Sequence, residues 1–298
     1  MVIQVEGLVK RYGDVVAVDH LSFEVERGEV FGLLGPNGAG KTTTIRVIMD
    51  ILRPDEGEVR VLDLPPREAK HRVGYLPEER GLYRNLKVLD TLVYLAELKG
   101  VKRAEARERA MHLLEEVDLA DWAGRKVRDL SRGMQQRLQF IASFVHDPEV
   151  LFLDEPFQGL DPLNVDRINR LILALHEQGK TIVLSSHQMN LVEALCDRIL
   201  LVNRGRRVLY GGLAEIKRRY APNAVRVRAP SLPSDLPGVA EVRSEDGSFY
   251  LTLAEGKRPK DVLRALIAQD VEVEAFEVAQ PTLEDIFVRV VQGEGGDA

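Results

Sequence analysis

The stretch GPNGAGKTT, Gly35 to Thr43, constrains this chain more than any other feature. It follows the apolar run EVFGLL and precedes TTIRVIMDIL, so a glycine-rich loop joins a buried strand to a helix. Gly35, Pro36, Asn37, Gly38, Ala39 and Gly40 leave backbone N–H groups free to wrap phosphate oxygens, and the helix N-terminus adds its dipole. Lys41 is placed to reach the β- and γ-phosphates of a nucleoside triphosphate, Thr42 to bring a hydroxyl to Mg²⁺, and Thr43 to complete the cradle. A strand, loop and helix in that order belong to an α/β domain with a largely parallel sheet.

The rest of the first two-thirds fits that frame. VLFLD and TIVLSS are nearly continuous apolar runs, as expected of strands covered by helices on both faces. The opening VIQVEGLVKRY and VVAVDHLSFEV alternate, and Gly13-Asp14 splits them into an antiparallel hairpin. From about 82 to 146 the pattern is helical and predicts a helical subdomain. Four prolines, Pro222, Pro230, Pro233 and Pro237, then mark a change of organisation. Beyond them, AVRVRAP, the strands on either side of Glu245-Asp246-Gly247, a helix from about Pro259 to Gln269, and VEVEAFEVA predict a small α+β unit. Thr282 and Asp285 open a last helix striped by Leu283, Ile286, Phe287 and Val290. Three segments result: 1–221, 222–291, and a disordered tail at 292–298.

The net charge of −6 over 298 residues argues against a nucleic acid as the main partner. The single cysteine, Cys196, can form neither an internal disulfide nor a cysteine-based metal site, which points to a reducing compartment. No apolar run approaches the roughly eighteen residues that cross a bilayer.

Two carboxylates end the strand VLFLDEP. Asp154 fits a Mg²⁺ contact, and Glu155, on the opposite side of an alternating strand, is placed to polarise an attacking water. His187 directly follows TIVLSS and is positioned to face a γ-phosphate. Asp161, in QGLDPL, reads by itself as a helix cap. LSRGMQQRLQF opens a helix that Ser131 caps, leaving a second anion-friendly N-terminus at Gly133.

In this order, GPNGAGKTT, LSRGMQQ, LFLDEP, GLDP and SSH resemble the nucleotide-binding subunit of ATP-binding cassette (ABC) transporters over about residues 2–220. The resemblance implies a P-loop ATPase fold: a mostly parallel sheet, an antiparallel β subdomain, a helical subdomain, and here an added α+β unit. It implies ATP and Mg²⁺ as cofactors and a head-to-tail dimer in which Ser131 and Gly133 grip the nucleotide held by the second subunit. It further implies Tyr12 as an adenine-stacking residue, Asp161 beside the nucleotide, and Glu78 at a Mg²⁺-contacting position where the family usually has glutamine. Arg132 stands where glycine is more common.

The 214–291 segment resembles, more loosely, the extension of prokaryotic exporter-type ATPases, including those grouped with sodium and drug efflux. The expected protein is therefore cytoplasmic. It is expected to be peripheral on the inner face of the cell membrane through an integral membrane subunit, with Pro77 to Leu95 supplying much of the docking surface. The competing reading is a soluble ABC ATPase acting on ribosomes or DNA. Such proteins carry two cassettes or a long coiled-coil insertion, and neither is present.

Overall fold

The computed structural model describes residues 1–79, 81–233, 235–245 and 247–291. Asp246 of the expected turn and the expected tail at 292–298 lie outside the described residues. The chain divides into two compact units, Met1–Leu213 and a second from Ala214 on.

In chain order the first unit runs β1 (Ile3–Tyr12), β2 (Val15–Val25), β3 (Val30–Leu34), α1 (Lys41–Ile48), β4 (Glu56–Val61), α2 (Pro66–Ala69) and β5 (Val73–Leu76). The helical segment follows as α3 (Val88–Leu98), α4 (Arg103–Glu116) and α5 (Arg132–Ala142). The chain then returns through β6 (Val150–Asp154), α6 (Pro162–Glu177), β7 (Thr181–Ser186), α7 (Met189–Leu195), β8 (Arg198–Asn203) and β9 (Arg206–Gly212).

Two sheets organise this unit. β1 pairs antiparallel with β2 on one side and β4 on the other. The larger sheet has the order β5-β6-β7-β3-β8-β9, parallel except for β9. Every residue of β3, β6 and β7 is buried, because helices or the smaller sheet cover both faces. Val5, Leu8, Leu21 and Phe23 from the antiparallel sheet meet Ile45 and Ile48 of α1 and then Phe31, Phe152, Val183 and Leu200 of the parallel sheet. Phe23 stacks on Phe31 with ring centroids 5.6 Å apart. Each such fully buried side chain contributes about 1.5–3 kcal/mol relative to exposure. On the other sheet face, a Cβ at Gly32 would lie 2.8 Å from Val192 of α7, so that helix packs directly on the backbone of β3.

α8 (Leu213–Arg219) starts at the division between the units. The second unit continues with β10 (Ala224–Arg228), β11 (Val239–Glu245), β12 (Ser248–Leu253), α9 (Pro259–Ala268), β13 (Ala275–Val278) and α10 (Leu283–Val291). Its strands form one antiparallel sheet in the order β11-β12-β10-β13, around a separate core of Val225, Val227, Leu251, Val262 and Leu266. VEVEAFEVA is a strand only over Ala275–Val278. Val271 and Val273 still pack on the core, but β10 ends at Arg228 and offers them no partner. Thr282 and Asp285 form the expected reciprocal cap of α10: the Thr282 N–H donates to Asp285 Oδ2 (2.9 Å) and the Asp285 N–H to Thr282 Oγ1 (3.1 Å).

Candidate active site

The central position of β3, between β7 and β8, brings the loop after it level with the C-terminal ends of β6 and β7. Ligands of open α/β sheets collect at such an edge. Glycine is required at both ends of the loop. Gly35 (φ +149°) would place a Cβ 2.1 Å from the Val202 carbonyl oxygen, and Gly40 (φ +104°) one 2.4 Å from that of Ala17. The loop is also held by a short relay of backbone hydrogen bonds. The Asp19 N–H donates to Gly205 O (2.9 Å), and the Gly205 N–H donates to Ala39 O (3.0 Å). Lys41, buried, folds back to donate to the carbonyls of Gly35 (2.7 Å) and Pro36 (3.3 Å), with its Nζ 3.5 Å from Glu155 Oε1. Asn37 to Thr43 line a cavity of about 360 Å³ that Glu78 and Glu155 also reach.

Asp154 and Glu155 diverge, but not through strand alternation as the sequence suggests. β6 ends at Asp154, and Glu155 takes the left-handed conformation, φ +51°. For a residue with a Cβ that geometry costs on the order of 1–3 kcal/mol and persists where surrounding contacts fix it. Ser185 supplies them. Its hydroxyl donates to Asp154 Oδ1 (2.5 Å) and accepts from the Glu155 N–H (3.1 Å). Thr42 Oγ1 also donates to Asp154 Oδ1 (3.2 Å), whereas the buried Asp154 Oδ2 has no hydrogen-bond partner. Burial pushes the Asp154 carboxyl above the usual carboxylate range, the two hydroxyls pull it back, and the charges of Glu78 and Glu155 add to the rise. Glu155 Oε2 lies 2.9 Å from His187 Nδ1, and its buried Oε1 accepts no hydrogen bond. Loop lysine, acids, hydroxyl and histidine thus meet at one edge of the sheet. Ser185 is the member that sequence reasoning missed; the polar end of TIVLSS was its only signal.

A second cavity, about 280 Å³, opens beside the first between Glu78, Arg132, Gln136, Gln139, Asp154, Glu155 and Gln158. Ser131 caps α5 by accepting from the Met134 N–H (3.3 Å). Three glutamines of α5 escaped the sequence reading, because each pairs with a backbone carbonyl outside its own helix. Gln135 donates to Leu130 O (2.9 Å), Gln136 to Gln158 O (2.7 Å), and the buried Gln139 to Pro77 O (3.3 Å) and Glu79 O (2.9 Å). Gln139 thereby holds the segment that presents Glu78. Gly133 lies near α6: a Cβ there would be 3.6 Å from Asn164 Nδ2.

Asp161 and Tyr12 line neither of these cavities. Asp161 caps α6, accepting from the Asn164 N–H (3.0 Å) and side-chain amide (2.6 Å), which hold its carboxyl below the usual range. Tyr12, at the end of β1 and 48% exposed, has the Lys10 ammonium 6.0 Å from its ring centre.

Residues 18–158 match the family model of ABC transporters, and residues 211–291 match that of the C-terminal domain of DrrA1-3-like ATP-binding proteins. The chain is 38% identical over 291 residues to the ABC transporter ATP-binding protein YhaQ of Bacillus subtilis, an alignment covering 96% of this chain and 97% of that one. The chain belongs to the ABC transporter ATP-binding family. It is also 34% identical over 302 residues to the daunorubicin/doxorubicin resistance ATP-binding protein DrrA of Streptomyces peucetius, covering 96% of this chain and 91% of that one. The dimeric structure of a bacterial ABC transporter cassette superposes with a TM-score of 0.65 at 26% identity, over 71% of this chain and 98% of that one. This ABC ATPase binds nucleotide through a P-loop α/β fold. No helix among its described residues is long and apolar enough to cross a membrane.

Proposed function

We propose that this ABC ATPase hydrolyses ATP as a head-to-tail dimer and so drives export through a separate membrane subunit, lying peripherally on the inner face of the cell membrane. The observation that carries the catalytic part is the pair of buried oxygens without hydrogen-bond partners, Asp154 Oδ2 and Glu155 Oε1, beside the loop that ends in Lys41.

Bound ATP gives Lys41 stronger acceptors than the carbonyls of Gly35 and Pro36, and its ammonium turns to the β- and γ-phosphates. The Thr42 hydroxyl, the free Asp154 Oδ2 and the Glu78 carboxylate are all oxygens and would hold Mg²⁺, a hard cation. When bound, the cation would offset negative charge on the phosphates. Glu155 Oε1 takes the proton of the attacking water, while His187, on Oε2, fixes which oxygen faces it. The left-handed turn at Glu155 aims the carboxylate at the loop, and Ser185 keeps it there.

The α5 N-terminus supports the dimer. Among the described residues Ser131 accepts from the Met134 N–H alone, so the Gly133 N–H and the helix dipole can serve the nucleotide of a second copy. The relative of known dimeric structure carries the same cassette fold. Export is supported by the match to a drug-resistance ATP-binding protein along nearly the whole chain. Membrane docking is supported by the segment from Pro77 to Leu95, which exposes Tyr83, Leu86 and Tyr94, the two tyrosine rings meeting edge to face at 5.5 Å.

Glu155→Gln is the test. Turnover should fall at least a hundredfold while ATP binding persists, and light scattering should show an ATP-dependent dimer. Turnover close to wild type would remove the base assignment, and a monomer at saturating ATP would remove the dimer.

A further inference from the structure

The 280 Å³ cavity holds an imbalance of partners. Glu155 has Lys41 within 4 Å and His187 on its other oxygen. Among the described residues Glu78 accepts from the neutral amide of Gln158, 3.4 Å away, and forms no ion pair. Arg132 lines the same cavity and forms no ion pair among the described residues. Its Nη2 lies 3.6 Å from the Cβ position of Gly159, on the loop that follows Glu155. Among the described residues, an arginine and a carboxylate that each lack an ion-pair partner therefore share one cleft with two buried carboxylates.

The geometry points to Arg132 as a positioning residue that balances the charge of Glu78 in its own chain and so sets how strongly ATP binding depends on Mg²⁺. The inference rests on the ATP and Mg²⁺ reading above. With Glu78 ionised, the cleft adds a third negative charge beside the nucleotide's phosphates; the Arg132 guanidinium, facing the same space, cancels its field. Removing either charge alone shifts the cleft in opposite directions. Without Arg132 the carboxylates repel Mg²⁺-free ATP and draw Mg²⁺ more strongly. Without Glu78 the uncompensated guanidinium attracts ATP and repels Mg²⁺. Both side chains are exposed, so the effects are modest and screened by salt.

The readout is the gain in ATP affinity on adding Mg²⁺, measured with a fluorescent ATP analogue on the full chain at low ionic strength, first with EDTA and then with saturating Mg²⁺. Arg132→Met should raise that gain about threefold, mainly by weakening Mg²⁺-free binding, and Glu78→Gln should lower it about threefold. The double variant should return to within a factor of 1.5 or so of wild type, Arg132→Lys should match wild type, and all differences should shrink in about 0.5 M salt. An unchanged gain in Arg132→Met, or a double variant that stays at the Arg132→Met value, overturns the pairing. Lys41→Ala separates the two readings. If wild type binds ATP and Lys41→Ala does not, an unmoved gain sinks the pairing alone; if Lys41→Ala binds as well as wild type, the site reading falls with it.

Discussion

His146 and Lys99 share the carbonyl of Val73 at the start of β5: His146 Nε2 lies 3.1 Å from it and Lys99 Nζ 3.0 Å, Lys99 also donating to Lys70 O (2.6 Å). Burial, reinforced by the Lys99 charge, pushes the His146 imidazole down to about 4. The unfolded chain, with an imidazole near 6.5, therefore takes up the proton first, so the contribution is whole above about pH 6.5 and shrinks as pH falls toward about 4. The full loss is on the order of 3 kcal/mol. His146→Gln, which keeps a donor for Val73 O, should flatten urea-midpoint stability between those pH values; an unchanged slope would assign the acid sensitivity elsewhere. At Cys196, burial raises the thiol far above its ordinary range, so a thiol reagent should label native protein only at the rate of unfolding.

Among the elements, α5 does more than end in an N-terminus. Its glutamines fasten three separate loops, and Gln139 alone satisfies two carbonyls around Glu78. Gln139→Ala removes that partner from two part-buried carbonyls and should cost about 0.5–1.5 kcal/mol in chemical denaturation, with helix content by circular dichroism unchanged. A cost below about 0.5 kcal/mol would mean that water replaces the amide. Such ties are invisible in sequence, because Gln139 and Glu79 are sixty residues apart and an amide shows no preference for a distant carbonyl. By contrast, β3, β6 and β7 were legible, since burial on both faces demands unbroken apolar runs, and the loop was legible because its glycines have a stereochemical cause. The left-handed Glu155 was not: a carboxylate in that conformation depends on Ser185, thirty residues on, and alternation along a strand gave a different reason for the same divergence. VEVEAFEVA was overread in its first half, because Val271 and Val273 pack on the core without pairing.

On the scale of the molecule, apolar clusters lie in separate stretches of chain, one within Val2–Val202 and another within Val225–Leu266. A fragment ending at Ala221 should fold cooperatively and bind ATP with Kd within about threefold of the full chain, while a fragment from Pro222 should give its own melting transition. If the shorter chain neither melts cooperatively nor binds ATP, the first unit needs the second to fold.

The relay from Asp19 through Gly205 to Ala39 has a mechanical side. When phosphate oxygens draw on the loop's amides, the pull passes by peptide groups alone into the turn between β8 and β9 and on into β2, with no side chain to absorb it. The hairpin that ends in Tyr12 is thus tethered to the loop's occupancy. The Asp19 amide, remote in sequence from the loop, should exchange with solvent more slowly once nucleotide is bound, so that a strand of the antiparallel sheet reports what the phosphate cradle holds.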